Sequence, residues 1–280
     1  MAWYNPQKTL SYNAFLSMVI GNRGGGKSFA WKEQATRHFI RTGRRTIWLR
    51  RYDTELRGRK GDKNGGLIKS FYQDIITAGK FAGHKLETKG YNAYVDDKPA
   101  IEFVALSTSS ALKSKSFDDV DYIVFDEFLI DKSTYKYLAN EVTVLLEFIE
   151  TVFRKRDNGR VILLGNAMSF ANPYFLYFNV KPFRGEFYSD RARSLLVQMF
   201  KDADYIAEKK ASKFGRLISG TEYSDYAIDN EFLLDNNKFI AAKPAGAKFR
   251  CGLTYAGTTY GFWIDYSQGL MYASRSYPET

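Results

Sequence analysis

A glycine-rich stretch near the amino terminus decides the fold. It reads Gly21-Asn22-Arg23-Gly24-Gly25-Gly26-Lys27-Ser28 and matches the phosphate-binding pattern G-x-x-x-x-G-K-[ST] at every fixed position. An apolar run at residues 15–20, typical of a buried strand, precedes it, and residues 29–36 are typical of the first turns of a helix. Because a strand, a loop and a helix in that order form the setting in which this pattern binds phosphate, the sequence predicts a P-loop domain of the α/β class.

The residue types of this loop suit a triphosphate. Glycine lets the backbone turn its N–H groups toward phosphate oxygens, and the following helix adds the partial positive charge of its amino terminus. Lys27 is expected to reach the β- and γ-phosphates of ATP, and the Ser28 hydroxyl is expected to ligate Mg²⁺. The predicted phosphate-binding residues are Gly21, Gly24, Gly25, Gly26, Lys27 and Ser28.

A second motif supplies two carboxylates. Residues 122–125 form an apolar run that ends in Asp126 and Glu127, which is the Walker B pattern. In a P-loop sheet this pattern places Asp126 beside the Ser28 site, where it holds the metal ion. Glu127 then lies past the strand end, where it orients and deprotonates an attacking water. Strands often end in acidic turns, but the pair follows a complete phosphate-binding motif and therefore favours ATP hydrolysis.

Other β-prone runs extend the sheet. Residues 44–52 and 160–164 alternate with helical segments, which predicts a mainly parallel sheet with helices on both faces and the nucleotide at the carboxyl ends of the strands. If the strand at 160–164 neighbours the Walker B strand, Asn166 senses the γ-phosphate or the water, and an ordinary turn is an equally open role. Residues 86–95 and 100–106 are also predicted to be strands, joined by a turn.

A long helix is predicted over residues 133–157, because its apolar residues recur at helical spacing. It ends in Arg154-Lys155-Arg156, whose charges complement the helix dipole. Residues 41–60 carry a run of basic residues, followed by a glycine-rich loop at 61–66. This basic segment either tracks a phosphate backbone or is a solvated charged surface.

The amino-terminal segment allows two interpretations. Gln7 is expected to hydrogen-bond the edge of an adenine ring, and Tyr4 or Tyr12 to stack on it. An ordered amino-terminal arm with no role in binding is the alternative.

The carboxyl-terminal part differs in pattern from the rest. Residues 194–200 are predicted to form a strand and residues 201–216 a basic helix, followed by a polar and acidic linker up to residue 240. From residue 248 onward the chain is β-rich, and residues 260–273 have the pattern of a hairpin.

Composition limits the possible classes of protein. The 280 residues have a formal net charge of +10, which favours a polyanionic partner such as nucleic acid over a protein that is merely basic. One cysteine and two histidines exclude a disulfide framework and argue against a histidine-rich metal site. No apolar run approaches the ~20 residues of a membrane span, and the amino terminus lacks signal-peptide features, so we expect a soluble, cytosolic protein without a membrane partner.

Taken together, these motifs resemble those of the DNA-encapsidation ATPases of small podophages, which are short relatives of the large terminases. The resemblance covers roughly residues 15–240, and its telling segments are residues 21–28, 112–128, 153–157 and 165–173. It implies an additional-strand, catalytic-glutamate P-loop ATPase, a linker, and then a partial RNase H-like segment that is a vestigial nuclease. The domains expected on this basis are the ATPase at 1–205, the linker at 206–240 and the start of the β-rich domain at 241–280.

The resemblance also implies roles for single residues. Arg23 contacts the γ-phosphate in cis or relays its state, and Arg154 acts in trans as an arginine finger, with Arg156 as the alternative. Lys113 also acts at the subunit interface, with Lys115 as its competitor. The implied partners are double-stranded DNA and a procapsid with its portal, with a structural RNA as an optional component, in the host cytoplasm. The implied assembly is a homo-oligomeric ring, with a pentamer as the expected size.

Two departures from the family pattern matter. Asn166 stands where terminases carry a threonine or serine that couples hydrolysis to movement. Asp265 resembles the opening of an RNase H-like fold, but only residues 266–280 follow it, so a complete nuclease is not expected, and truncation is favoured over a reduced domain.

The resulting hypothesis is an ATP-driven DNA translocase. Its rivals are a P-loop kinase, the ATPase of a membrane-bound secretion or assembly system, and a nucleotide-binding scaffold without turnover.

Overall fold

The structure of this chain is a computed structural model, and its described residues are 4–58, 66–130, 136–166, 172–183, 185–221, 243–255, 257–267, 269–275 and 277–278. The chain divides into two compact units, Met1–Asp235 and Asn236–Thr280. Within the described ranges, no helix is both long enough and apolar enough to cross a bilayer.

The first unit is built on a nine-stranded sheet. Its strands are β1 (Leu16–Gly21), β2 (Arg45–Arg50), β3 (Leu86–Lys89), β4 (Asn92–Val95), β5 (Lys98–Ala105), β6 (Val120–Asp126), β7 (Arg160–Gly165), β8 (Phe187–Asp190) and β9 (Leu195–Phe200). They lie in the order β3-β4-β5-β2-β6-β7-β1-β9-β8. The six central strands from β5 to β9 are parallel, and the pairs at both edges are antiparallel. The predicted mainly parallel α/β sheet is confirmed, with β7 as the additional strand between the P-loop strand and the Walker B strand.

Helices cover both faces of this sheet. They are α1 (Pro6–Leu10), α2 (Lys27–Thr42), α3 (Asp53–Arg57), α4 (Leu67–Ser70), α5 (Gln73–Thr77), α6 (Glu141–Phe153), α7 (Pro173–Tyr177), α8 (Ala203–Ala211) and α9 (Lys213–Ile218), with a 3₁₀ helix at Leu106–Leu112.

The alternation of side chains along each strand divides the core into two layers. On β1, Met18 joins the cluster that packs against α6, whereas Val19 joins the cluster that packs against α2. On β2, Leu49 and Trp48 divide in the same way, and the indole of Trp48 meets Phe71 edge to face at 5.0 Å. Because both faces are buried, the central strands are continuous apolar runs, which is typical of parallel sheets.

Three sequence predictions about single elements are wrong in detail. Residues 133–135 of the helix predicted over 133–157 lie outside the described residues. The described helix begins at Glu141, because Asn140 is left-handed with φ 52° and the Glu141 carboxylate accepts the N–H of Leu138. It ends at Phe153, because Arg154 is left-handed with φ 49°.

The strand predicted over residues 86–95 is two antiparallel strands, β3 and β4, that turn at Gly90 with φ 60°. The predicted turn between β4 and β5 is confirmed. The helix predicted over 201–216 is divided into α8 and α9 at Ser212, whose side chain caps α9.

The second unit contains one antiparallel sheet formed by β10 (Lys248–Tyr255), β11 (Thr258–Asp265) and β12 (Leu270–Ser274). The β11–β12 pair is the hairpin that the sequence predicts. Asp265 is buried at the end of β11, and its carboxylate accepts hydrogen bonds from the N–H and hydroxyl of Ser267. The described residues contain no cluster of three carboxylate, histidine or cysteine side chains placed to hold a metal ion. The division at 205 and 240 stays a prediction, and its first boundary falls inside α8.

Candidate nucleotide-binding site

The phosphate-binding loop connects β1 to α2 at the carboxyl edge of the sheet. It borders a cleft of about 440 Å³, which is also lined by the ends of β6 and β7. Gly26 caps α2 in a left-handed conformation with φ 80°. The predicted residues that line the cleft are Arg23, Gly24, Gly25, Gly26, Lys27, Ser28, Asp126, Glu127 and Asn166.

Gly24 and Gly25 occupy variable positions of the motif, and the structure shows why they are glycine. Gly24 has φ 86°, and a Cβ on it would lie 2.2 Å from the hydroxyl of Tyr205 in α8. That hydroxyl donates to the carbonyl of Arg23 at 3.0 Å. A Cβ on Gly25 would lie 3.0 Å from the ring of Phe200, at the end of β9. The crest of the loop is therefore packed against β9 and α8.

Lys27 is buried and extends along the inside of the loop. Its ammonium group donates to the carbonyls of Gly21 and Asn22 at 2.9 and 2.8 Å and to Asn166 Oδ1 at 3.3 Å. Burial lowers the pKa of Lys27 to about 8, although the nearby Asp126 carboxylate acts in the opposite direction. A phosphate group in the cleft would therefore supply the charge partner that this lysine needs.

Ser28 and Asp126 form the candidate metal site. The Ser28 hydroxyl donates to Asp126 Oδ1 at 2.8 Å, although the two residues lie on different elements. Mg²⁺ prefers oxygen ligands and binds through one or two protein groups together with phosphate oxygens and water. This oxygen pair beside the loop fits that requirement, so the placement predicted for both residues agrees with the geometry.

Glu127 follows β6 in a left-handed conformation with φ 61°, and its side chain is 61% exposed in the cleft. Its Oε2 accepts a hydrogen bond at 2.7 Å from Nη2 of Arg50, at the end of the neighbouring strand β2. The same guanidinium lies 3.5 Å from Asp126 and 3.4 Å from Glu55. Burial acts to lower the pKa of Arg50, but these three carboxylates together raise it.

Arg50 and Glu55 are therefore site residues that the sequence analysis misses. Arg50 ends a strand at the edge where parallel strands present their functional groups, which is a signal for a site residue. The sequence does not identify the strand that pairs with it, because strand order is a tertiary property.

Most described arginines of the basic run that contains Arg50 form ion pairs within the fold. These pairs are Arg44 with Asp121, Arg45 with Asp119 and Glu102, Arg50 with Glu127, Arg51 with Glu141, and Arg57 with Asp53. Arg41 is exposed and the pair of Arg57 lies at the surface, so a solvated charged surface fits these two positions, and the phosphate-backbone role stays a prediction. The glycine-rich loop predicted at 61–66 lies almost wholly outside the described residues.

Asn166 lies at the tip of β7, between the phosphate-binding loop and Asp126. Strand β7 pairs with β6 on one side and β1 on the other, which is the condition that the sequence analysis set for a sensor role. The hydrogen bond from Lys27 Nζ places the Asn166 side chain inside the cleft.

The structure separates the two candidate arginine fingers. Arg156 donates to the carbonyls of Phe117, Val120 and Val152 at 2.7–2.9 Å, so it fastens the end of α6 to the neighbouring loop. Arg154 is exposed, and its side chain forms no hydrogen bond or ion pair within the described parts of the chain. It does not line the cleft of its own chain.

The two candidate lysines differ in a similar way. Lys113 is exposed and pairs with the exposed Glu147 at 3.1 Å. Lys115 pairs with the buried carboxylate of Glu102 at 2.5 Å. Lys113 is thus the more accessible of the two, and it also lies outside the cleft.

The amino-terminal residues predicted to contact adenine make contacts within the fold. Tyr4 is buried, bonds to Thr9 at 2.6 Å and packs its ring against Phe200. The Gln7 amide donates to Gln34, and Tyr12 stacks on Phe187. None of the three side chains lines the cleft beside the phosphate-binding loop, and the adenine role and the ordered arm both stay predictions.

Comparison with known proteins identifies close relatives. The sequence profile described as podovirus DNA encapsidation protein (Gp16) matches residues 1–280. The DNA packaging protein of Bacillus phage PZA is 40% identical over 278 residues, which cover 98% of this chain and 79% of that protein.

Two solved structures are similar over much of the chain. A chain of the bacteriophage Phi-29 viral genome packaging motor assembly is 37% identical with a TM-score of 0.69, and the match covers 100% of this chain and 82% of that one. The N-terminal domain of the DNA packaging ATPase from bacteriophage phi29 is 38% identical with a TM-score of 0.64, and the match covers 73% of this chain and 100% of that one.

Proposed function

The chain belongs to the podovirus DNA encapsidation protein (Gp16) family, and we propose that it is the ATP-hydrolysing subunit of a motor that moves double-stranded viral DNA into a procapsid. One observation carries the enzymatic part of this proposal. Ser28, Asp126 and Glu127 meet Lys27 in one cleft at the carboxyl edge of the sheet. The names of the relatives, which include a DNA packaging ATPase, support the packaging part.

Each side chain of the cleft has a chemical task. The backbone N–H groups of the loop and the Lys27 ammonium bind the phosphates, and Asn166 faces the same space. Ser28 and Asp126 would hold Mg²⁺, which supplies charge neutralisation for the transferred phosphoryl group. Glu127 accepts the proton of the attacking water, and its carboxylate has acceptor sites for this besides the one that Arg50 occupies.

Hydrolysis on this proposal needs a second subunit. Arg154 is exposed and has no partner among the described side chains. It follows the last residue of α6 and has a positive φ of 49°. Its side chain is therefore available to a neighbour's nucleotide. Lys113 is accessible for a similar role, and Arg23 is exposed on the loop of its own subunit. The proposed assembly is therefore a homo-oligomeric ring, with a pentamer as the expected size, in which ATP lies between subunits.

The proposed partners are double-stranded DNA and the procapsid with its portal, with a structural RNA as a possible additional component, in the host cytoplasm. The net charge of +10 suits a phosphate backbone that is held with little sequence preference. A P-loop kinase or the ATPase of a membrane-bound assembly system would share the phosphate chemistry. The family relationship supports packaging over both.

Turnover by the full chain tests this proposal. We expect Glu127→Gln to lower ATP hydrolysis in the presence of double-stranded DNA and procapsids by ~10²-fold or more, because it removes the general base. Glu87→Gln is the matched control, since Glu87 is an exposed carboxylate of β3 outside the cleft, and it should leave the rate unchanged. Hydrolysis that ignores DNA and procapsids, together with wild-type turnover in Glu127→Gln, would reject the proposal.

A further inference from the structure

Beside Arg50 lies a second arginine that is enclosed by protein. The side chain of Arg51 is 2% exposed, and that of its partner Glu141 is 1% exposed. Arg51 donates from Nε and Nη2 to the two carboxylate oxygens of Glu141 at 2.6 and 2.8 Å. Its guanidinium also lies over the rings of Phe125 and Tyr137, at 5.4 and 5.0 Å from their centroids.

The remaining donors of this guanidinium bind the turn that follows the Walker B strand. Nη1 donates to the carbonyl of Glu127 at 3.2 Å, and Nη2 donates to the carbonyl of Phe128 at 2.7 Å. Glu127 is the residue with φ 61°, a conformation that costs a non-glycine residue free energy and persists only where its surroundings hold it. Arg51 is a direct contact that holds it.

We propose that Arg51 is a positioning residue for ATP hydrolysis. Its guanidinium fixes the main chain of Glu127 and Phe128 and so sets the direction in which the Glu127 carboxylate enters the cleft. This inference rests on the proposed function, in which Glu127 is the general base. Arg50 holds the carboxylate itself, whereas Arg51 holds the backbone from which the carboxylate extends.

Arginine is the side chain that this task requires. Its planar fork presents donors to a carboxylate on one side and to two carbonyls on the other, whereas a lysine has one compact ammonium group. Glu141 accepts two further hydrogen bonds, from the Leu138 N–H at 2.8 Å and the Tyr174 hydroxyl at 2.6 Å, so the anion is held from several directions.

Glu141 also links Arg51 to the helix that carries the proposed arginine finger. Glu141 is the first residue of α6, and Arg154 follows the last. The ion pair therefore connects the turn at Glu127 to the helix that presents Arg154. A displacement of Glu127, the proposed general base, would therefore be coupled through α6 to a displacement of Arg154.

Arg51→Lys tests the inference, because it keeps the charge opposite Glu141 but cannot span both carbonyls. In the full chain we expect kcat for ATP to fall by about tenfold to a hundredfold, with KM within about twofold, because misplacement of a reacting group by about 1 Å has effects of this size. Tyr174→Phe is the matched control. It removes one hydrogen bond to Glu141, leaves both carbonyl contacts in place, and should keep kcat within about twofold.

A second measurement separates positioning from a purely structural role. If Arg51 acts through Glu127, Arg51→Lys should cause no further loss of turnover when it is added to Glu127→Gln. A multiplicative loss in the double variant, or wild-type kcat in Arg51→Lys, would overturn the inference. Wild-type turnover in Glu127→Gln alone would instead reject the proposed function.

If Arg51→Lys does not fold, the triple variant Arg51→Met, Glu141→Leu, Tyr174→Phe replaces it. Substitution of a whole buried ion pair by apolar side chains leaves no unpaired charge and often preserves stability. The expectation is again a fall in kcat of at least about tenfold at unchanged KM. A triple variant with wild-type kcat would overturn the inference, and so would failure of both variants to fold, since Arg51 would then be required for the fold itself.

Discussion

Nη2 of Arg50 lies 2.7 Å from Oε2 of Glu127, so the proposed general base is paired with an arginine of the adjacent strand. The same guanidinium faces the buried carboxylates of Asp126 and Glu55. One cation thus faces three anions at the edge of the cleft, and the carboxylate that would activate water is also the most exposed of the three.

The first prediction concerns Arg50. We expect Arg50→Ala to lower the free energy of unfolding by about 3 kcal/mol, because it removes the guanidinium that pairs with the buried carboxylates of Asp126 and Glu55. Arg37→Ala is the control, since Arg37 is exposed and pairs with Glu33 on the surface of the same helix, and it should cost less than about 0.5 kcal/mol. Urea denaturation followed by circular dichroism measures both, and equal losses would contradict the prediction.

The second prediction concerns protons taken up with ATP. The pKa of Lys27 is lowered to about 8, so at pH 8 about half of the free protein carries this charge. Phosphate groups favour the charged form and raise the pKa, so binding at pH 8 should take up about half a proton, and ATP affinity should fall as the pH rises above 8.

Titration calorimetry in two buffers of different ionisation enthalpy measures this uptake, with EDTA present so that the nucleotide adds only negative charge. Lys27→Arg is the control, because arginine stays charged throughout this pH range. An uptake that is absent in the wild-type protein, or that persists unchanged in Lys27→Arg, would be inconsistent with a titrating Lys27.

The third prediction concerns the crest of the phosphate-binding loop. Gly24→Ala and Gly43→Ala both place alanine in a left-handed conformation, which costs about 1 kcal/mol. A Cβ on Gly43 meets no atom within 4 Å, whereas one on Gly24 collides with Tyr205. We therefore expect Gly24→Ala to lose more stability than Gly43→Ala, and also to lose ATP affinity.

Adding Tyr205→Ala to Gly24→Ala should restore part of the lost stability and ATP affinity, because it removes the side chain that the new Cβ would contact. Thermal melting and fluorescent-nucleotide binding follow the two effects. Additive losses in the double variant would show that Tyr205 is not the obstacle.

The fourth prediction separates Arg154 from Arg156. Arg156→Ala should lower the free energy of unfolding by about 2 kcal/mol, because it removes the charged donor for the carbonyls of Phe117, Val120 and Val152. Arg154→Ala should leave the melting temperature unchanged and lower DNA-stimulated hydrolysis by ~10³-fold. The reverse pattern, with a stability loss in Arg154→Ala and a pure activity loss in Arg156→Ala, would exchange their roles.

The sequence analysis identifies the parts of the site that local patterns specify. The loop at 21–28 and the pair Asp126-Glu127 are contiguous motifs, and their flanking strands are recognisable as apolar runs. Asn166 is predicted to enter the site only on condition that β7 neighbours β6, and the sheet order meets that condition. The positions of these residues agree with the predictions because the motif and the backbone geometry come from the same few residues, and their roles stay predictions.

The residues that the sequence analysis misses depend on contacts between distant segments. Arg50 and Arg51 lie in a basic run that resembles a solvated surface, and their partners Glu127 and Glu141 belong to other elements. Glu141 also shows why the helix boundary is wrong. Its apolar neighbours continue the helical spacing, but its carboxylate binds Arg51 and the N–H of Leu138, which fixes the helix start there.

Mixed assemblies test most directly the central claim, that ATP is hydrolysed between two subunits. Glu127→Gln lacks the base but offers Arg154, and Arg154→Ala has the base but offers no finger, so each variant alone should be inactive. In an equal mixture about one interface in four combines an intact base with a neighbour's intact arginine. We predict that DNA-stimulated ATP hydrolysis reappears on mixing. A mixture that stays as inactive as its two components, or an Arg154→Ala protein that hydrolyses ATP at the wild-type rate, would contradict the claim.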